Sequence, residues 1–198
     1  MFENIKDSIV TDEELLFIIG YERDIIKSYC EEEKPQNIPP IIKVLNSEKR
    51  LQFIPFDGER DFNRSTERRS ILMDMGAAFY KEWGEDVFPS ILIMISEAWM
   101  KSFDAKDVPD KVRAPSDYPD AIDSIVVQAI TLTKSSLEEA EAKPRGGLAV
   151  LEIKSREPYL ILEELVEPNL MPATRETTDL LNHFFMGWAK QGRIENNY

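Results

Sequence analysis

The sequence predicts an α+β domain: a mixed but mainly antiparallel sheet of about six strands with helices packed on it. Three observations lead there. Pro89–Met100 reads as a strand whose first half, Ile91 to Ile95, is apolar without alternation, so both of its faces need cover. Further strand-like runs at 122–133, 148–154 and 159–166 follow with no long helix between them, which favours antiparallel neighbours over a doubly wound sheet. Amphipathic helical stretches precede and follow this block and can supply the cover.

Taken in order, Thr11-Asp-Glu-Glu14 opens a first helix as a capping box, with Val10 and Leu15 as its hydrophobic staple. Leu15, Ile18, Ile19, Ile26 and Tyr29 recur at helical spacing and predict the buried stripe. Glu31, Glu32 and Glu33 stand at the negative end of that helix and Pro35 blocks continuation, so the end is expected to fray. Residues 1–37 are therefore expected as an N-terminal helical arm on a 38–198 core, within a single domain over 1–198. Pro40–Leu45 and Leu51–Phe56 predict two short strands about a polar turn, with Pro55 placing the second at an edge.

The second helix is capped at Ser65 or Thr66 and stopped at Gly84, with Ile71, Leu72, Met75, Ala78, Phe79 and Trp83 as its apolar face. Arg64, Arg68 and Arg69 cluster about its start. Arginines there sit beside exposed amides that already present positive charge. They predict either a phosphate or carboxylate site or, preferred in so acidic a chain, pairing with the protein's own acids. The stretch 101–121 is a polar, proline-punctuated loop of a length typical of binding surfaces. Ser136–Glu139 can cap a short acidic helix. After the 159–166 strand, Pro168 and Pro172 lead to a last helix with Leu180, Leu181, Phe184, Phe185 and Trp188 on its apolar face, ending before Gly192.

Charge bounds the function. The chain has 198 residues, 42% of them hydrophobic, and a formal net charge of −13. That balance favours solubility and repels phosphate backbones, so nucleic-acid binding is disfavoured. A single cysteine, Cys30, allows no intrachain disulfide and points to a reducing compartment. With only one histidine, His183, a Cys/His zinc site within one chain is excluded. The N-terminus lacks a basic-then-apolar signal pattern, and no apolar run approaches membrane-spanning length. The expectation is a cytoplasmic protein.

Ser96-Glu-Ala-Trp-Met100, followed by a loop containing Pro115-Ser-Asp-Tyr-Pro-Asp120 and then a strand, resembles a family of bacterial and phage proteins with that strand end and a Pro-Ser-x-x-Pro-Asp loop. The resemblance spans about a third of the chain, supports one continuous domain and implies no activity. Glu97 and Trp99 share a strand face. They are either the floor of a pocket, with Asp117 or Asp120 opposite, or a packing Trp and a Glu that accepts backbone amides; packing is preferred.

One constellation carries chemistry. Pro119-Asp120 precedes one strand, and Glu152-Ile153-Lys154 lies late on the next, similar to the Pro-Asp and Glu-x-Lys pattern of restriction-endonuclease-like nucleases. On that resemblance Asp120 and Glu152 would ligate Mg²⁺ and Lys154 would be the catalytic lysine. The competing reading is a solvent-facing row of Glu152 and Lys154, with Glu163 diagonally across the hairpin and Ala149, Leu151 and Ile153 turned to the core. No Gly-x-Ser-x-Gly elbow serves His183, and nothing near Cys30 activates it. The reading preferred is a non-enzymatic binding or accessory domain that self-associates or takes a protein partner, with the first helix facing it and no cofactor. A Mg²⁺-dependent nuclease and an acidic mimic of nucleic acid are the alternatives.

Overall fold

The computed structural model describes residues 10–54, 65–84, 86–101, 117–131, 146–171 and 175–195. Arg64, most of the 101–121 loop, the Ser136–Glu139 helix and the side chains of Ser65 and Thr66 lie outside the described residues. The elements are α1 (Asp12–Glu33), β1 (Ile41–Asn46), β2 (Leu51–Ile54), α2 (Ser65–Trp83), β3 (Pro89–Met100), β4 (Ile122–Thr131), β5 (Gly146–Ser155), β6 (Ile161–Met171) and α3 (Arg175–Glu195). The strands form one sheet in the order β2-β1-β3-β4-β5-β6, and every neighbouring pair is antiparallel. This is the expected α+β class, without the parallel pairing that "mixed" allowed. The helical crossover α2 leaves from β2 and returns to β3 with β1 between them, so it makes no parallel strands neighbours.

The apolar run of β3 is covered on both faces because period-2 alternation sends its residues to two separate cores. Leu92 and Met94, with Ile42, Val44 and Ile130, meet Leu72 and Phe79 of α2 and Phe184 and Trp188 of α3. Ile91, Ile93 and Ile95, with Ile125, Val127 and Leu151, meet Leu15, Ile19, Ile26 and Cys30 of α1. The molecule is thus three layers deep, and the segment expected as an arm is packed as one of those layers. Among the described residues no helix is long and apolar enough to cross a membrane.

Local grammar sets the helix ends. The Thr11 hydroxyl accepts from the Glu14 amide at 3.1 Å, and the Glu14 carboxylate accepts from the Thr11 amide at 2.8 Å, which completes the capping box. The far end of α1 does not fray as its acids predicted. Lys34 turns left-handed at φ 51° and donates its amide to the Cys30 carbonyl at 3.2 Å. Its ammonium lies over the Tyr159 ring, so tertiary contacts hold the end against the unfavourable dipole. Gly84 ends α2 at φ +72°, the left-handed stop for which glycine is suited. Gly192 does not end α3, which continues to Glu195; one glycine's propensity yields to packing.

Pro168 fails to break its strand for a different reason. β6 is the sheet's second edge, and the register slips between Leu148 and Val150 opposite Asn169 and Val166. A proline in a bulge on an edge strand forfeits no ladder hydrogen bond.

Candidate functional site

The nuclease constellation comes together only in part. Glu152 and Lys154 stand on β5, and Glu163 of β6 pairs directly opposite Glu152 rather than diagonally. Lys154 Nζ bridges Glu152 at 2.9 Å and Glu163 at 3.1 Å. These carboxylates, Glu152 first, raise the Lys154 pKa above the ordinary lysine range. Both ion pairs favour its ammonium form.

Asp120 stands elsewhere. It precedes by four positions Ser124, the residue that pairs with Glu152, and its carboxylate binds Lys101, which lowers its pKa. Among the described residues no three His, Cys, Asp or Glu side chains are grouped to hold a metal ion. Asp117 is exposed where the loop approaches β4.

At the end of β3 the structure assembles a group that the sequence did not reveal. Arg156, on the β5–β6 turn, grips Asp123 through two bonds of 2.8 and 3.0 Å and reaches Glu97 at 2.9 Å. The second Glu97 oxygen accepts the Ile38 amide at 2.7 Å. Glu97 and Asp123, in that order, raise the Arg156 pKa, and the pairs join β3, β4 and the α1–β1 linker. Glu97 does accept a backbone amide, that of Ile38 in the linker. Trp99 lies opposite Asp123 and is half exposed. Arg156 is recognisable only once the register places two acids beside it; nothing in Ser155-Arg-Glu-Pro158 announces it.

Arg69 has a partner, but Arg68 behaves differently. Its Nε is buried without an acceptor, and no hydrogen bond or ion pair engages the side chain among the described residues. Among the described residues the expected pairing with the protein's own acids is not seen for it. Cys30 is buried beneath α1, and burial, followed by the Glu31 and Glu97 charges, pushes its thiol pKa up; it is a packing residue.

Between β2 and α2 runs a cleft of about 600 Å³ lined by Ile54, Ile71, Met75, Ala78, Phe79 and Trp83. Its charged lining residues, Asp74 and Glu82, are both acids, and Gln52 brings a buried Oε1 that has no donor among the described residues. β2 ends the sheet, so among the described residues one side of its backbone has no strand partner. On the opposite face of the sheet Phe53 is 68% exposed beneath the Lys43 ammonium. Phe17, Tyr21, Ile25 and Tyr29 run exposed along α1 at four-residue intervals, with Phe17 and Tyr21 stacked. Tyr29 is thus surface; Cys30 takes its place in the stripe.

No protein-family model, curated protein or solved structure matches this chain.

Proposed function

We propose that the protein is a binding domain without catalytic chemistry of its own, and that its site is the β2–α2 cleft, taken by an extended segment of a partner chain. The observation that carries this is an edge strand, without a strand partner among the described residues, bordering an apolar cleft of ligand size. A strand added to β2 would satisfy its free backbone groups and drop alternate side chains into the cleft. The acidic lining and the donorless Gln52 Oε1 favour a segment that carries Lys or Arg among β-branched or aromatic residues. The Mg²⁺ nuclease reading asks Lys154 and Asp120 to leave their ion pairs. The nucleic-acid mimic asks for regularly spaced acids that neither the sequence nor the sheet supplies.

Selection from a random-heptapeptide display library should recover basic sequences with apolar residues two apart. Their binding should slow hydrogen exchange of β2 amides. Ala78→Arg, at an exposed position on the cleft wall, should abolish capture without changing the melting temperature. An acidic or helical consensus, or capture that survives Ala78→Arg, would overturn the assignment.

A second reading is self-association through the exposed stripe of α1 together with Leu51 and Phe53. Acids stand at both ends of α1, at 12–14 and at 31–33. Pairing of two α1 helices about a twofold axis opposes acid to acid in either direction, which ranks this reading second. A monomer in sedimentation at high salt would remove it.

The enzyme alternative has its own check. Purified protein should leave DNA and RNA intact with Mg²⁺ or Mn²⁺, and Glu152→Ala and Lys154→Ala should fold as wild type. Metal-dependent cutting lost in both variants would reinstate the nuclease.

A further inference from the structure

Arg68 lines a second cleft, of about 310 Å³, on the other side of β1 from the peptide groove. Its walls are Asn37, the Ile38–Pro40 stretch that leads into β1, and Ser96 and Glu97 of β3. In a chain with 37 acids, a half-buried guanidinium with no carboxylate partner among the described residues is notable. A buried N–H without an acceptor carries a penalty that an oxygen-bearing ligand would relieve.

The neighbouring charge defines that ligand. Glu97, the one acid among the cleft's described lining residues, is already compensated, since Arg156 holds one oxygen and the Ile38 amide the other. Among the described lining residues the charge that remains is one guanidinium, near the start of α2 where helix amides also present positive potential. Asn37 and Ser96 add neutral donors beside it. A planar guanidinium pairs in fork geometry with a planar carboxylate. A phosphate dianion would bring a second negative charge beside Glu97 with nothing to match it.

We infer that the Arg68 cleft binds a carboxylate, whether on a small acid or at the C-terminus of a peptide chain. The site is independent of the β2–α2 groove and does not need the proposed strand addition.

Titration of the whole protein by amide NMR separates the sources. N-acetylglycine should shift the signals of Asn37, Arg68 and Ser96, and N-acetylglycinamide should leave them in place. If penta-alanine with a free C-terminus shifts them and N-acetylglycine does not, the carboxylate is chain-borne. Arg68→Gln should weaken binding by about ten- to a hundredfold, the range of a charge-assisted hydrogen bond. Asn37→Asp, at an exposed position, should weaken it by repulsion with the fold intact, which covers the case in which Arg68→Gln does not fold. Arg68→Lys should bind less well than wild type, because a point charge loses the fork. Carboxylate binding that survives both Arg68→Gln and Asn37→Asp, inorganic phosphate that binds more tightly than either carboxylate, or no shift with any of them would overturn the assignment.

Discussion

Glu22→Ala is expected to cost the fold about 3–5 kcal/mol. Glu22 lies within the buried stripe of α1 and meets Lys43 of β1, with side-chain exposures of 1% and 5%. Two charges taken this far from water are tolerable only as a pair. Removing the carboxylate leaves the ammonium against apolar residues, with the Phe53 ring as its remaining partner. The double replacement Glu22→Leu with Lys43→Met removes both desolvation penalties and should recover most of the loss, because apolar isosteres of a buried pair are frequently neutral or stabilising. Urea denaturation of the two single variants and the double variant measures this. If the double variant is as unstable as the sum of the singles, the pair is not buried as described.

The second large effect lies where α2 crosses α3. A Cβ on Gly76 would stand 1.9 Å from the Phe184 carbonyl oxygen and 2.9 Å from the Trp188 amide nitrogen. A Cβ on Gly187 would stand 1.9 Å from the Met73 carbonyl oxygen. These obstacles are helix backbone, which cannot turn aside as a side chain can. Gly76→Ala and Gly187→Ala should therefore each cost about 3 kcal/mol, at the upper end of overpacking effects. Together they should cost less than their sum, since helices parted for one methyl have room for the other. Gly20→Ala is the control. In the middle of α1 its Cβ would meet only Pro168 Cγ at 3.5 Å, an ordinary contact. Relief of glycine's backbone entropy should then stabilise by about 0.5–1 kcal/mol. A wild-type melt for Gly76→Ala would show that the helices do not cross so closely.

These two cases mark where the sequence was readable. Element type and order followed from local signals: the capping box at Thr11, the unalternating β3, and Gly84 as a stop. What failed was information held by another element. Glu22 reads as solvent-facing until Lys43 is placed beneath it. The end of α1 reads as frayed until Tyr159 meets Lys34. Pro168 reads as a break until its strand is found at the sheet's edge beside a bulge.

The candidate sites divide in the same way. Glu97, Trp99, Arg68 and the Glu152–Lys154 row could be picked out as residues, but their partners could not. Arg156 was missed because its two acids lie 33 and 59 positions away. The β2–α2 cleft was hidden because Ala78 and Trp83 fit an apolar helix face equally well whether it is filled or open.

The strand order also governs how the chain can acquire its structure during synthesis. Each strand pairs with one already made: β2 with β1, β3 with β1, β4 with β3, β5 with β4, and β6 with β5. The sheet can thus grow outward as the chain emerges, with every new strand adding to an existing edge. The helices have no such advantage. α1 is made first, yet it rests on β4, β5 and β6, and α2 waits for α3. Both broad faces of the growing sheet therefore stay uncovered until late: one until α1 folds back over finished strands, the other until the C-terminal helix arrives. Exposed apolar sheet in that interval is open to wrong partners. The last third of the chain, more than its central strand, decides whether a nascent molecule closes or aggregates.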